Sequence, residues 1–234
     1  MINTSLIKKN FINNGFQLLK DCLIKERIDL LKDTCEKLLE EKNHQDNSKH
    51  DINLGNDRRF LCHQHEKYPE LSHFLLGEDI GKIVSKFINK AWLFNEQFVV
   101  KAPKTGASFG WHQDGAYVGF QHKPYITVWI PLDNCNKKNG CIELIPRNIN
   151  KQDKIEKHSW SEKSKELYGL DENINGHLVP CSVGSAIVFS SLTFHRSGNN
   201  TTNSSRRAYI CQYSTEPIRY PNNGKIKRFA KKLL

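Results

Sequence analysis

The 234-residue sequence contains no long apolar run, and its first residues have no hydrophobic stretch of the kind that secretory signals carry. A membrane-spanning helix needs about 20 consecutive apolar residues, and no segment approaches that length. The seven cysteines are scattered, odd in number and without a C-x-x-C pair, which argues against a disulfide framework or a zinc ribbon. We therefore expect a cytoplasmic protein whose cysteines are mostly buried thiols.

Acidic residues are under-represented: 25 Asp and Glu against 35 Lys and Arg give a net charge of +10. Such an excess is typical of proteins with a nucleic-acid partner or an anionic small substrate, but also of a generally lysine-rich surface. The only dense basic cluster lies in the tail, at 219–232. Basic and aromatic residues are not interleaved as a base-stacking groove requires. We favour the lysine-rich surface, and a nucleic-acid partner is not expected.

The pattern of apolar residues changes near Trp92. Before it, apolar residues recur at helical spacing over 23–39 and about 77–91, which predicts a mostly helical N-terminal support over 1–92. After it come short segments rich in β-branched and aromatic residues, each bounded by turn residues. These predicted strands lie at 97–102, 125–132, 141–145, 185–190 and 207–214.

Several short strands with long connections predict a mainly β fold, a double-stranded β-helix of the jelly-roll or cupin-like type. We expect one domain over 1–234, with the jelly-roll core at 93–214 and a basic C-terminal tail at 215–234. An insertion at about 147–177 is predicted to be partly helical around 159–170. A connection of that length is either a functional lid or a surface insertion, and the sequence favours neither.

A possible metal site begins at His112 and Asp114, because residues two apart in a strand point to the same side. A histidine and a carboxylate joined by a distant second histidine form the facial triad of non-haem iron(II) oxygenases. Several histidines are available as the third ligand. His195 is favoured because it follows the apolar strand 186–189 and precedes Arg206 and Arg207. An arginine fork can bind a carboxylate of a dicarboxylate co-substrate at two points.

Three blocks of sequence resemble the phytanoyl-CoA dioxygenase family. They are Trp111–Tyr117, then Thr127–Asp133 followed by Asn139–Pro146, and His195–Asn200 with Arg206 eleven positions after the histidine. Their order and rough spacing match the family over about 95–214, and 11–26 is similar to the family's opening.

The resemblance implies an iron(II) and 2-oxoglutarate-dependent dioxygenase that consumes O2 and releases succinate and CO2. It implies that His112, Asp114 and His195 bind iron, and that Arg206, assisted by Ser197, binds the distal carboxylate of 2-oxoglutarate. Further implied positions are Trp129 and Gln113 in the co-substrate pocket and Tyr117 at its mouth, facing the primary substrate. Strand parity gives Arg207 the opposite direction from Arg206, so Arg207 is expected to be structural.

Hydroxylation of a small molecule is the predicted reaction, since related halogenases lack the carboxylate that Asp114 supplies. The sequence departs from the family at Arg147–Ile149, where a small residue and Ser-His usually follow Pro146, so a particular substrate does not transfer. Lys101 and Lys104 indicate an anionic substrate, with Lys101 as a candidate contact. The alternatives are a nucleic-acid or protein demethylase on the same barrel and a non-catalytic cupin-like metal-binding module.

Overall fold

A computed structural model describes residues 4–42, 52–53 and 58–233. The helices are α1 (Thr4–Asn14), α2 (Lys25–Lys42), α3 (Pro69–Leu76) and α4 (Glu78–Val84). The strands are β1 (Phe16–Leu19), β2 (Ile52–Asn53), β3 (Arg58–Cys62), β4 (Trp92–Lys101), β5 (Phe109–His112), β6 (Ile126–Pro131), β7 (Ile142–Leu144), β8 (Ser159–Ser161), β9 (Glu166–Tyr168), β10 (His177–Leu178), β11 (Ala186–Ser190), β12 (His195–Ser197), β13 (Arg206–Ser214) and β14 (Lys231–Lys232).

Two antiparallel sheets face each other and form the double-stranded β-helix that the sequence predicted. The major sheet has the order β1-β11-β6-β13-β4-β3-β2, with β14 also pairing β4. The minor sheet has the order β10-β7-β12-β5. All five predicted strands are present within a few residues of the expected bounds, because their β-branched and aromatic residues are buried on both faces of the sheet.

Two hydrophobic cores hold these layers. The helices cover the outer face of the major sheet, where Leu31, Leu71 and Val128 are fully buried. Between the sheets, Leu144 of the minor sheet packs with Ile187 of the major one. Each such side chain contributes about 1.5–3 kcal/mol through burial. Within the described part of the chain, all seven cysteines are free thiols and six of them are buried, as predicted. No described helix has the length and apolar composition that crossing a bilayer requires.

The N-terminal region differs from the predicted helical support, because β1 and β3 extend the major sheet. β1 pairs with β11 from Phe16 to Leu19, and β3 pairs with β4 from Arg58 to Cys62. The predicted helix over 77–91 ends at Val84, where irregular turns follow.

The predicted helix around 159–170 is wrong. The segment forms the hairpin β8–β9, in which Trp160 lies opposite Leu167. The hairpin continues onto the barrel, since Gly169 N donates to Trp111 O at 2.8 Å. Pairing of β8 with β9 satisfies backbone groups that an isolated helix on this surface would satisfy internally, and it overrides a weak helical pattern.

The predicted basic tail packs onto the barrel. Residues 215–233, which we call the C-terminal segment, follow β13 and return to β4, where Lys231 and Lys232 pair with Leu93 and Trp92. Phe229 packs on the rings of His63 and His65, with centroids 5.2 and 4.6 Å apart. The segment therefore forms part of the wall around the space between the sheets.

Candidate active site

Strand pairing brings the three predicted metal ligands together. His112 ends β5 and lies directly opposite His195, the first residue of β12. Gln113 keeps an extended backbone (φ −107°, ψ 128°), so Asp114 turns back to the side of His112. Asp114 Oδ1 lies 3.7 Å from His112 Nε2 and 3.5 Å from His195 Nε2. One ligand atom from each residue lies within 4.8 Å of the others, a span that one metal ion bridges.

Hydrogen bonds on the side away from Asp114 fix the orientation of the two imidazoles. His112 Nδ1 contacts Gly110 O at 2.8 Å and His195 Nδ1 contacts Thr193 O at 3.1 Å. These contacts place the proton on Nδ1 and leave each Nε2 lone pair directed at Asp114. Burial, followed by the neighbouring His112, lowers the pKa of His195 to about 4, so this imidazole is neutral at pH 7 and able to bind a metal.

The Asp114 carboxylate is held by two further side chains. Its Oδ2 accepts hydrogen bonds from Thr127 Oγ1 at 2.6 Å and from Gln212 Nε2 at 3.0 Å. Gln212 also donates to Thr127 Oγ1 at 3.1 Å and accepts from Asn95 Nδ2 at 2.9 Å. The network occupies one carboxylate oxygen and leaves Oδ1 free to bind a metal.

Arg206 is a buried cation without a counter-ion. It begins β13, is 2% exposed, and its guanidinium lies 5.6 Å from the centroid of the Trp129 ring. Within the described residues no carboxylate pairs with it, and its Nε has no hydrogen-bond partner. A buried guanidinium left in this state is costly unless a ligand completes it. Its fork is suited to a carboxylate that binds at two points.

The His-Asp-His triad and Arg206 both line one cavity of about 190 Å³ between the sheets. The lining residues near Arg206 include Trp129, Phe189 and Ser197. The rest of the lining includes aromatic, amide and charged side chains from several segments. They are Phe60, Asn95, Gln97, Phe109, Tyr117, Tyr125, Lys165, Glu166 and Arg228. The cavity therefore offers space for a co-substrate beside Arg206 and for a small second molecule.

Most predicted site residues lie around this cavity. The three ligands, Arg206, Ser197, Trp129 and Tyr117 all line it. The Tyr117 ring stands edge-on to His112 with centroids 5.6 Å apart, and its hydroxyl accepts a hydrogen bond from Leu167 N at 3.0 Å. Arg207 points the other way and pairs with Asp133 Oδ1 at 2.8 Å and Glu36 Oε1 at 2.7 Å. This agrees with the parity argument.

Two predicted residues lie elsewhere. Gln113, expected in the co-substrate pocket, is fully buried on the opposite side of its strand, where its amide donates to Leu192 O and Lys154 O and accepts from Glu156 N. Lys101, expected to contact substrate, is also fully buried and donates to the carbonyls of Ser197 and Gly198.

The positions of Gln113 and Lys101 away from the cavity have physical reasons. The alternation that brings Asp114 to the metal side necessarily turns Gln113 away. Lys101 lies opposite Arg206 in the register of β13 and β4, inside the barrel, and burial holds its pKa well below the usual range. Lys104 lies in the turn after β4 and does not line the cavity.

Arg147, where the sequence departs from the family pattern, is a buried structural residue. Its guanidinium donates to Leu192 O at 2.9 Å and to Gln152 O at 2.8 Å. It thus joins the start of the insertion to the turn that precedes His195. Gln113 donates to the same Leu192 carbonyl, so both residues stabilise the insertion from behind the metal site.

Sequence reasoning did not find the residues that anchor the hairpin β8–β9. Arg58 of β3 pairs with Glu166 Oε2 at 2.9 Å and donates to Ser164 O at 2.8 Å, and Arg58 is only 4% exposed. These residues are more than 100 positions apart, so no local pattern could indicate the contact. Thr127 and Gln212, which hold Asp114, could have been found from the sequence, because strand parity directs Thr127 to the same face as Trp129.

A facial triad beside a buried, unpaired arginine defines an iron(II)- and 2-oxoglutarate-dependent oxygenase on a double-stranded β-helix. The sequence profile of phytanoyl-CoA dioxygenase (PhyH) matches residues 11–208. The chain therefore belongs to the phytanoyl-CoA dioxygenase family, and the enzyme class and cofactors predicted from the sequence are confirmed.

Relatives agree with this assignment. A 2-aminoethylphosphonate dioxygenase from uncultured bacterium HF130_AEPn_1 is 28% identical over 214 residues, which cover 88% of this chain and 80% of that protein. A probable alpha-ketoglutarate-dependent hypophosphite dioxygenase from Stutzerimonas stutzeri is 28% identical over 157 residues, covering 64% of this chain and 50% of that protein. EvdO2 from Micromonospora carbonacea var. aurantiaca, solved with 2-oxoglutarate, shares the fold with a TM-score of 0.75 at 20% identity, covering 94% of each chain.

Proposed function

We propose that this protein hydroxylates a small molecule bound beside the metal centre, with 2-oxoglutarate as co-substrate. His112, Asp114 and His195 would hold iron(II), and Arg206 would bind the distal carboxylate of 2-oxoglutarate, assisted by Ser197. When bound, iron and 2-oxoglutarate would activate O2, with one oxygen atom entering the substrate and the other entering succinate as CO2 is released. The observation that carries the proposal is the Arg206 guanidinium, which is buried, has no counter-ion among the described residues and lines the same cavity as the triad.

The residues of this site fit both iron(II) and 2-oxoglutarate. Two imidazoles and one carboxylate on one side of an ion are the ligand set that iron(II) oxygenases use, and they leave positions for co-substrate and oxygen. The charge and fork of Arg206 match a carboxylate, and the Trp129 ring restricts where that carboxylate can lie. Tyr117, Tyr125 and Phe109 line the other side, where they would exclude water and orient the substrate.

Retention of Asp114 favours hydroxylation, because the carboxylate occupies the position that halide takes in related halogenases. The cavity volume of about 190 Å³ favours a small substrate over a long acyl thioester. Two relatives are named for 2-aminoethylphosphonate and hypophosphite, which makes small phosphorus oxyanions the first compounds to test.

Anaerobic reconstitution with iron(II) and 2-oxoglutarate tests the proposal. We expect a visible metal-to-ligand charge-transfer band, and slow succinate formation when oxygen is admitted. His112→Ala should abolish the band, while His122→Ala is the matched control, since His122 lies outside the triad and contacts backbone carbonyls. Arg206→Gln should require far more 2-oxoglutarate for the same band. A folded protein that binds iron but gives neither band nor succinate would instead support a non-catalytic metal-binding module.

A further inference from the structure

The substrate side of the cavity carries two cations contributed by peripheral segments. Lys165 lies in the turn of the hairpin β8–β9, and Arg228 lies in the C-terminal segment. Both line the cavity that contains the triad. We propose that Lys165 and Arg228 together bind the oxyanion of the primary substrate, so that the enzyme acts on a small phosphonate or phosphate ester. This inference rests on the proposed function and specifies its substrate class.

The charges on this side of the cavity do not cancel. Among the described lining residues, the one carboxylate beyond Asp114 is Glu166, which is already neutralised by Arg58 at 2.9 Å. Lys165 pairs with Glu162, and both side chains are more than half exposed, so that ion pair contributes little and is easily exchanged. Arg228 makes no ion pair with any residue in the described part of the chain. Two positive charges therefore remain, which matches a doubly charged oxyanion better than a single carboxylate.

Lys165 and Arg228 both have a strained backbone, which indicates that the surrounding structure holds them in place. Lys165 has φ +54° and Arg228 has φ +63°, a left-handed conformation that long side chains rarely adopt. Such strain persists only where the surrounding structure enforces it, and it concentrates at binding and catalytic sites. Two of the five described non-glycine residues with positive φ are thus the two cations that line this side of the cavity.

The neighbours of Arg228 fix its backbone in place. Lys227 N donates to Ile218 O at 2.8 Å, and Lys227 Nζ donates to Val118 O at 2.7 Å. On the other side, Phe229 packs on the ring of His65. Arg228 is therefore held between two anchored residues rather than carried on a free tail, which lowers the entropy lost when it binds an anion.

The family assignment does not supply this role, because the matched region ends at residue 208 and Arg228 lies beyond it. The original expectation of an anionic substrate rested on Lys101 and Lys104, which the structure places away from the cavity. The cations that line the substrate side come instead from the hairpin and the C-terminal segment. Both are elements whose sequence pattern did not indicate a site.

The test uses methylphosphonate as probe and the anaerobic complex with iron(II) and saturating 2-oxoglutarate. Paramagnetic broadening of the 31P resonance reports binding close to the metal and does not require turnover. Because 2-oxoglutarate occupies Arg206 in this complex, the probe reports on the substrate side. We expect saturable broadening with wild-type protein. Arg228→Gln should weaken the apparent affinity roughly tenfold or more, the loss expected for a charge-assisted hydrogen bond, and Lys165→Gln several-fold.

Controls separate this inference from the proposed function. Lys225→Gln removes one exposed charge from the same segment and should leave the affinity unchanged, whereas Arg228→Lys should restore part of it. The charge-transfer band of each sample shows whether the metal and co-substrate site is assembled. A missing band in wild-type protein overturns the proposed function itself. An intact band with no saturable broadening, with equal affinity in Arg228→Gln, or with tighter binding of acetate than of methylphosphonate overturns the oxyanion assignment alone.

Discussion

Replacing Arg206 by methionine should stabilise the protein when no 2-oxoglutarate is bound. The guanidinium is 2% exposed and its Nε lacks a hydrogen-bond partner, and an unsatisfied buried donor of a charged group costs about 2–3 kcal/mol. Methionine retains an unbranched apolar chain but loses the contact with the Trp129 ring, which is worth about 2 kcal/mol for a desolvated pair. The net gain is up to about 1 kcal/mol, or a Tm rise of up to roughly 4 °C for a chain of this length.

Addition of 2-oxoglutarate should reverse this order. A ligand present at about 100 times its Kd stabilises the folded state by about 2.7 kcal/mol, which exceeds the gain from the substitution. Wild-type protein should therefore unfold at the higher temperature when iron(II) and 2-oxoglutarate are present. The variant should not respond to 2-oxoglutarate, because the carboxylate then has no buried cation to bind. Anaerobic thermal unfolding followed by circular dichroism, with and without 2-oxoglutarate, measures both effects.

The adjacent arginine provides the matched control. Arg207 pairs with Asp133 and Glu36 on the other face of β13, so Arg207→Met should lower the Tm under both conditions. If Arg206→Met instead lowered the Tm of the ligand-free protein by several degrees, Arg206 would be stabilising the fold, and the argument from its missing partner would be refuted.

Three further changes test other parts of the structure. Thr127→Val removes a hydrogen bond to Asp114 and should weaken iron(II) binding roughly tenfold in a competition titration, whereas Thr127→Ser should not. Equal iron(II) affinities of the Thr127→Val variant and the wild-type protein would show that this contact does not position Asp114. Arg58→Met leaves Glu166 buried without its partner and should lower the free energy of unfolding, measured in urea, by about 3–5 kcal/mol. The double variant Arg58→Met with Glu166→Leu should recover most of this loss. A double variant as unstable as the single one would contradict this. The pKa of His195 is about 4 in the folded protein and 6.5 ordinarily, so the unfolded chain binds a proton that the folded chain does not. The metal-free protein should therefore lose stability as the pH falls from 6.5 to about 4. If a His195→Gln variant lost stability equally steeply over this pH range, His195 would be excluded as the cause.

The core of the fold was predictable from the sequence because each strand carries its own signal. The segment from Arg206 to Ser214 pairs with β4 over its whole length and with β6 from Ala208 to Tyr213, and its β-branched and aromatic residues mark it without reference to any partner. The triad was predictable for a related reason. His112 and Asp114 lie close in sequence, and His195 follows an apolar strand.

The rest depends on contacts between distant parts of the chain. Phe16–Leu19 is too short to distinguish from a loop until β11 supplies its hydrogen bonds. The segment 159–170 has a weak helical pattern that the pairing of β8 with β9 and the hydrogen bond from Gly169 N to Trp111 O override. The direction of Lys101 into the barrel follows from its register with Arg206, which no local pattern indicates.

The three segments that surround the substrate side have a consequence for how this enzyme could change over time. The proposed metal ligands and Arg206 belong to the barrel, because His112, His195 and Arg206 lie on its strands and Asp114 begins the turn directly after β5. A shift in strand register would displace all of them together. Phe60, Lys165 and Arg228 come from β3, the hairpin and the C-terminal segment, which are not the strands that carry the triad and Arg206. Under the proposed assignment, specificity can therefore be changed by exchanging any one of these segments while the metal site stays intact. Recombination at their boundaries offers a practical route to enzymes with new substrates.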